Sequence, residues 1–284
     1  MSWMLLTLSY GLIKGVREIV KKKSLERNTV VEVLFFYTLF GFLLLIPTYK
    51  QAAGVPLNIM VFIIFKSLII FLAWIASFHA IKKVPISLYG ILDLSRVLFA
   101  TFLAMLVLHE KLSAFRVIGL IFVTAGLIML KFKKDKGQEK EVHYIYVILA
   151  FASCLLNAAS GLLDKILTKT ITPDQLQFWY MLYLVLFYAA YLLFEFLVKK
   201  HVNVVVAVKN GWIWLLSILF IIADKALFIA NHNPDSKITV MTLIKQSGCI
   251  VTILAGKFIF KEKNIAYKLI CAAVIIVGIV IGVM

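Results

Sequence analysis

The sequence predicts an all-α membrane protein with ten transmembrane helices, built as two inverted five-helix repeats. Three observations predict it. Of the 284 residues, 63% are hydrophobic and only 15% charged, with mean hydropathy +1.00. A soluble domain carries about 25% charged and about 45–50% apolar residues. Second, runs such as IMVFIIFKSLIIFLAWIASFHAI and YKLICAAVIIVGIVIGVM approach or exceed the roughly 18 residues that mark a bilayer-crossing helix. Third, the charged figure in LVLHEKLSAFRVIGL, Leu106 to Leu120, returns in FIFKEKNIAYKLICA, Phe258 to Ala272.

Hydropathy places the first five helices at about 2–20, 31–49, 59–81, 86–108 and 113–132. The other five fall at about 144–167, 175–198, 212–231, 237–260 and 265–283. The opening MSWMLLTLSYG has no basic region ahead of its apolar run, so it reads as the first span and not as a cleaved signal. Helices two and seven open on matching stretches, TVVEVLFFY from Thr29 and TPDQLQFWY from Thr172. The polar tract KKDKGQEKEVH makes residues 133–143 a basic linker between repeats over 1–132 and 144–284. Aligning Glu110 with Glu262 sets Ser95 on Ser247 and Gly126 on Gly278, and Gly15 and Glu18 fall on Gly161 and Asp164. Each half holds an odd number of spans, so the second enters the membrane from the opposite face. Repeats of that kind build transporters whose midplane site opens alternately to the two sides.

The residues that carry the repeat also carry a resemblance. P-x-S-L-Y-G from Pro85 to Gly90, the stretch Leu103 to Leu112 ending in Glu-Lys-Leu, and Gly119 with Gly126 resemble the EamA-like branch of the drug/metabolite transporter superfamily. The resemblance covers nearly the whole chain at the level of ten spans and two halves. It implies a multi-pass cell-membrane transporter; members move amino acids, nucleotide sugars, choline-like amines and drugs. The second copy departs from the pattern, with Lys237 in place of Pro85 and Cys271 in place of Gly119. Loops after odd-numbered helices hold 16 Lys and Arg and the opposite loops 5, so the positive-inside rule puts both termini outside. Relatives usually face the other way.

Ionisable residues lie well within the spans, among them Lys14, Lys66, Asp93, Arg96, Asp164, Lys165, Asp224, Lys225 and Lys245. Each charge at a helix centre costs about 2.5–3.5 kcal/mol, or roughly 20–30 for the set. A fold is only about 5–15 kcal/mol stable, so most must pair, reach the interface or line a watery cavity. Tyr89, Asp93 and Arg96 share a helix face by spacing, as do Asp224, Phe228 and Asn231. Lys245 is the repeat-mate of Asp93, and an Asp93–Lys245 pair with Arg96 nearby is the expected centre of the site. Tyr10, Lys14, Trp74, Asn157 and Gly161 are expected to complete its wall. Lys66, Asp164 and Lys165 read as snorkelling or structural. Asp224 and Lys225 are adjacent, point about 100° apart and cannot face one cavity. Glu110 and Glu262 read as anchors of hairpin turns. The three cysteines, Cys154, Cys249 and Cys271, lie in apolar runs and read as small core residues.

These features predict a secondary transporter of a small polar metabolite, an amino acid or another carboxylate- or phosphate-bearing or zwitterionic compound. The expected cavity is slightly basic. Alternatives are quaternary amines or cationic drugs held by Tyr89, Trp74 and Phe228 through cation–π attraction, and a lipid-linked substrate flipped through a lateral opening. No G-x-x-x-x-G-K-[ST] loop is present, so the energy source is an ion gradient or exchange. A coupling proton or ion is the expected partner, with Asp93 or Asp224 as its carrier. An enzyme is disfavoured: Ser113 stands where a zinc motif starting at His109-Glu110 needs its second histidine. No catalytic residue, metal, cofactor or nucleic-acid partner is expected.

Overall fold

The computed structural model describes residues 2–109, 113–132, 143–199, 203–262 and 265–283. Among these every regular element is helical. The first half holds α1 (Ser2–Ser24), α2 (Val30–Leu45), α3 (Leu57–Lys83), α4 (Ile86–Leu92), α5 (Arg96–Leu108) and α6 (Ala114–Phe132). The second holds α7 (Tyr144–Leu167), α8 (Pro173–Lys199), α9 (Val204–Lys209), α10 (Gly211–His232), α11 (Ile238–Lys245), α12 (Gly248–Phe258) and α13 (Ile265–Val283). The expected linker falls outside the described residues apart from His143, as do Glu110 and Lys111 of the first charged hairpin.

Eight described segments are long and apolar enough to cross a membrane; they are α2 with its 3₁₀ extension, α3, α4–α5, α7, α8, α10, α11–α12 and α13. The other two long helices form but fall short of that measure. α1 carries Lys14, Arg17, Glu18 and Lys21 in its length, and the apolar stretch of α6 runs only from Ala114 to Gly126.

The helix starts explain part of the repeat. Thr29 and Glu32 form a reciprocal capping box at α2, with Thr29 N–H donating to Glu32 at 2.9 Å and Glu32 N–H to Thr29 at 3.3 Å. Thr172 and Gln175 do the same at α8, at 3.0 and 3.2 Å. The matching stretches TVVE and TPDQ therefore encode one local structure twice.

Two features lay beyond the expected boundaries. The fourth apolar run tightens into a 3₁₀ turn at Asp93–Ser95, between α4 and α5, and the ninth breaks at Gln246 and Ser247, between α11 and α12. Ser95 and Ser247 are equivalent in the repeat alignment. Hydropathy does not register a change of helical pitch, so both runs read as continuous. The second is α9, a six-residue helix with four exposed valines.

Packing joins the halves in matched pairs. α1 lies on α10 and α3 on α7; α2 packs on α8; α3 meets α8 as α10 meets α2. α4 contacts α12 while α5 contacts α11, so these two broken helices run antiparallel. α6 and α13 also run antiparallel, because Gly119 lies against Gly278 and Gly282 whereas Gly126 lies against Cys271 and Ile275. A Cβ on Gly119 would stand 2.5 Å from the Gly278 carbonyl oxygen, and one on Gly278 2.6 Å from the Phe122 Cβ. Only glycine permits this approach. An aromatic cluster of Tyr37, Trp74, Phe78 and Phe220 fills the space between α2, α3 and α10.

Candidate functional site

A polar cavity lies at the centre, enclosed by α1, α3, α5, α7, α8, α10 and α11 and holding about 920 Å³ of atom-free space, part of it continuous with the outside. α1 contributes Tyr10, Lys14, Arg17, Glu18 and Lys21. Tyr10, Lys14, Arg17 and Lys21 recur at helical spacing on one face. On another face Gly11 and Gly15 press against α11–α12, where a Cβ on Gly15 would fall 2.6 Å from the Gly248 carbonyl. The sequence of α1 thus splits into a glycine face for close packing and a charged face for the cavity.

The charges are arranged as a network. Asp93 is held between Lys14 of α1 and Arg96 one turn on, the latter at 2.9 Å. Arg17 reaches Asp224 at 3.2 Å and lies 4.5 Å over the Phe220 ring. Tyr180 donates to the other Asp224 oxygen at 2.5 Å. Lys66 faces Asp164 at 3.0 Å and sits 3.5 Å over the Tyr180 ring. Lys21 pairs with Glu18 at 2.7 Å. Lys245 has no ion pair among the described residues; its ammonium lies 5.7 Å from the Tyr10 ring.

Six basic side chains line the cavity, namely Lys14, Arg17, Lys21, Lys66, Arg96 and Lys245, against Glu18, Asp164 and Asp224. Adding Asp93 behind Lys14 leaves an excess of two positive charges, six less four. Several buried polar atoms on this wall also lack a hydrogen-bond partner among the described residues: Arg17 Nε, Arg96 Nε, the Ser160 hydroxyl and the Asn231 amide nitrogen. A buried donor without a partner costs about 1–3 kcal/mol. The cavity is therefore suited to an anionic or hydrogen-bond-accepting guest.

Of the residues expected from sequence, Tyr10, Lys14, Trp74, Arg96, Asn157, Gly161, Asp224 and Lys245 line this cavity. The expected Asp93–Lys245 pair is not formed. Asp93 takes Lys14 and Arg96 instead, and Lys245 has no ion pair among the described residues. Equivalent positions in a repeat need not touch, and α1 inserts its own lysine at the Asp93 carboxylate. Tyr89 and Asp93 line a smaller pocket behind Lys14, beside Gly90 and Gly248. The 3₁₀ turn separates Tyr89 from the face of Arg96, and its hydroxyl bonds to Ser77 at 2.6 Å. Phe228 is also outside the lining; it is buried edge-on to Tyr180 and 5.3 Å from Lys66. Lys225 turns away to pair with Asp174 of α8, as its adjacency to Asp224 requires.

Sequence reasoning missed Arg17, Glu18, Lys21 and Tyr180 as lining residues, and it placed Lys66 and Asp164 among structural charges. Hydropathy ends the first span near residue 20, which leaves Lys21 to a loop, whereas α1 continues to Ser24. The match of Glu18 with Asp164 in the repeat was the available signal, since both lie on the cavity wall.

Residues 1–132 match the EamA-like transporter family. No curated protein matches the chain. A protein of known crystal structure superimposes with a TM-score of 0.72, covering 99% of this chain and 96% of its own, at 14% identity. At that identity the likeness concerns the fold alone.

Proposed function

We propose, taking as premise an EamA-like transporter match over residues 1–132, that the protein is a secondary transporter of a small polar metabolite bearing a carboxylate or phosphate. In this reading α1 and α6 span the membrane with the eight apolar segments, giving ten spans in two inverted five-helix repeats. The exchange-matched packing of the helices supports the repeat. The antiparallel course of α4–α5 against α11–α12, and of α6 against α13, supports the inversion. Broken helices at equivalent positions, each ending at the cavity or beside it, are the device by which such folds present a midplane site.

One observation carries the substrate class: the wall has two more basic than acidic groups, and Lys245 has no ion pair among the described residues. Leaving that excess in a low-dielectric site is costly, and an anion offsets it. A quaternary amine would add to the excess. The basic loops after odd-numbered helices put both termini outside, and a cytoplasm-specific reporter fused after Met284 tests that orientation.

Transport itself is tested in proteoliposomes loaded with a mixed pool of amino acids, amines, sugar phosphates and organic acids. The expected result is accumulation or exchange of an anionic or zwitterionic member, together with a rise in melting temperature when that compound is added to purified protein. Movement confined to permanent cations would overturn the reading, and so would lateral loading by a lipid-linked substrate only.

A further inference from the structure

Away from the cavity, a second concavity lies where the end of α1 and its following turn meet α9 and the start of α10. It opens broadly to the outside and holds about 1470 Å³ of atom-free space. Its rim is basic, with Lys23, Arg27 and Lys209 against the single acid Glu26. Lys23 is engaged by Glu26 at 2.8 Å. Arg27 and Lys209 are exposed and have no ion pair among the described residues. The remaining wall is apolar and outward-facing: Val205 is 60% exposed, Trp212 46% and Leu215 39%.

The floor is built rather than accidental. The Asn210 amide donates to the Ser24 carbonyl at 3.2 Å and to the Asn28 side chain at 2.8 Å, while its oxygen accepts from Trp212 N–H at 3.1 Å. This one residue ties the end of α1 and its following turn to the start of α10. Nothing lies within 4 Å of a Cβ placed on Gly211, so the concavity is open just where the backbone of α10 begins.

The position matters as much as the composition. α10 is apolar enough to cross a bilayer, so its first turn stands at the membrane–water boundary, where Trp is favoured. The four valines of α9, which ends one residue ahead of α10, are exposed, as the apolar side of an interfacial helix is. A cationic rim over an outward apolar wall at that depth matches one kind of neighbour, a phospholipid. Basic residues at the boundary attract anionic headgroups.

We propose that this groove is a binding site for an anionic phospholipid of the surrounding leaflet. Its headgroup phosphate sits between Arg27 and Lys209, and one acyl chain runs along Leu215 and Trp212. The site is separate from the cavity and does not depend on what the cavity carries.

The full-length protein is reconstituted in phosphatidylcholine vesicles doped with brominated phosphatidylglycerol or, separately, brominated phosphatidylcholine. The Trp212 contribution to quenching is taken as the difference between wild type and Trp212→Phe, because four other tryptophans remain. Phosphatidylglycerol is expected to quench Trp212 more strongly than phosphatidylcholine at equal mole fraction. The apparent preference should fall about fivefold in Arg27→Gln and again in Lys209→Gln, and Lys209→Arg should restore it. Equal quenching by the two lipids would overturn the proposal. An equal loss in Lys83→Gln, an exposed cation that does not line the groove, would reduce the effect to diffuse surface attraction. Displacement of the preference by inorganic phosphate would make the groove a site for a free anion and not for lipid.

Discussion

Lys66 of α3 and Asp164 of α7 face one another at 3.0 Å, both side chains nearly withdrawn from the surface, and the pair has a counterpart of reversed polarity. α1 packs on α10 as α7 packs on α3 once the halves are exchanged. There Arg17, on the first helix of its half, meets Asp224, on the third helix of the other, at 3.2 Å. In one contact the first helix supplies the acid and in the other it supplies the base. The packing of these helices is matched between the halves while the charges are not. The two sides of the cavity are therefore chemically unlike, and a bound molecule is expected to adopt one orientation.

Because Lys66 is only 2% exposed, Lys66→Met should strand the Asp164 carboxylate in a low-dielectric setting. Breaking one partner of a buried pair costs about 3–5 kcal/mol, whereas replacing both with apolar groups is often neutral. Thermal melting in detergent should show a large drop for Lys66→Met and substantial recovery in Lys66→Met/Asp164→Leu. A double variant that melts as low as the single one would mean that packing, not charge, holds this contact.

Lys245 offers the opposite case. Among the described residues it has no carboxylate partner to strand, so Lys245→Gln should leave melting nearly unchanged. If the substrate is the anion proposed above, its affinity should fall by roughly tenfold to a hundredfold, the worth of a hydrogen bond to a charged group at about 1.5–3 kcal/mol. Isothermal titration or ligand-induced melting shifts on both proteins would separate the two effects. Equal affinity in the variant would remove Lys245 from the binding site.

Much of this was legible in the sequence, for identifiable reasons. Helix ends follow from apolar length and from caps such as Thr29 with Glu32, both local properties. The presence of charges inside apolar runs forces a polar interior on energetic grounds alone, which is why Lys14, Arg96 and Asp224 were found. Partner choice was not legible. The repeat alignment places Asp93 opposite Lys245 by symmetry, but the contact at Asp93 is made by Lys14 from a different helix. Phe228 shares the spacing of Asp224 and Asn231, yet its ring lies behind Lys66, in contact with Tyr180. Spacing fixes a face to within some tens of degrees, and cavity lining is decided by less than that.

Gly248 and Gly161 should respond oppositely to alanine. A methyl on Gly248 would come within 2.4 Å of the Gly11 carbonyl oxygen and 2.9 Å of the Gly15 nitrogen, both backbone atoms. Gly248→Ala should destabilise by about 1–3 kcal/mol, as overpacking does. Gly161 lies inside α7 with nothing within 4 Å of its Cβ position. Gly161→Ala should be neutral or stabilising by about 0.5–1 kcal/mol through the lower backbone entropy cost. Melting curves of the two variants in one detergent make the comparison.

Glu262, in the turn between α12 and α13, caps a helix of the other half. Its carboxylate accepts from Ile86 N–H at 2.6 Å, from Ser87 N–H at 3.2 Å and from the Ser87 hydroxyl. Lys268 backs the arrangement, 3.5 Å from the carboxylate and 2.8 Å from the Ser87 oxygen. The first turn of α4 follows Pro85, whose own side chain gives no cap, and the N–H groups of Ile86 and Ser87 are met instead by Glu262 of the other half. Losing a cap of this kind costs about 1–2 kcal/mol. The consequence should travel further than the turn, because α4 leads directly into Asp93 and the 3₁₀ turn that aims Arg96 at the cavity. Glu262→Ala should therefore raise amide exchange at Ile86 and Ser87 and make the start of α4 more open to thiol reagents at an introduced Ser87→Cys. Glu262→Gln, which keeps one acceptor oxygen, should fall between. If exchange at Ile86 and Ser87 is the same in Glu262→Ala as in the wild type, the α12–α13 turn does not hold α4, and any coupling between that turn and the cavity must run through another contact.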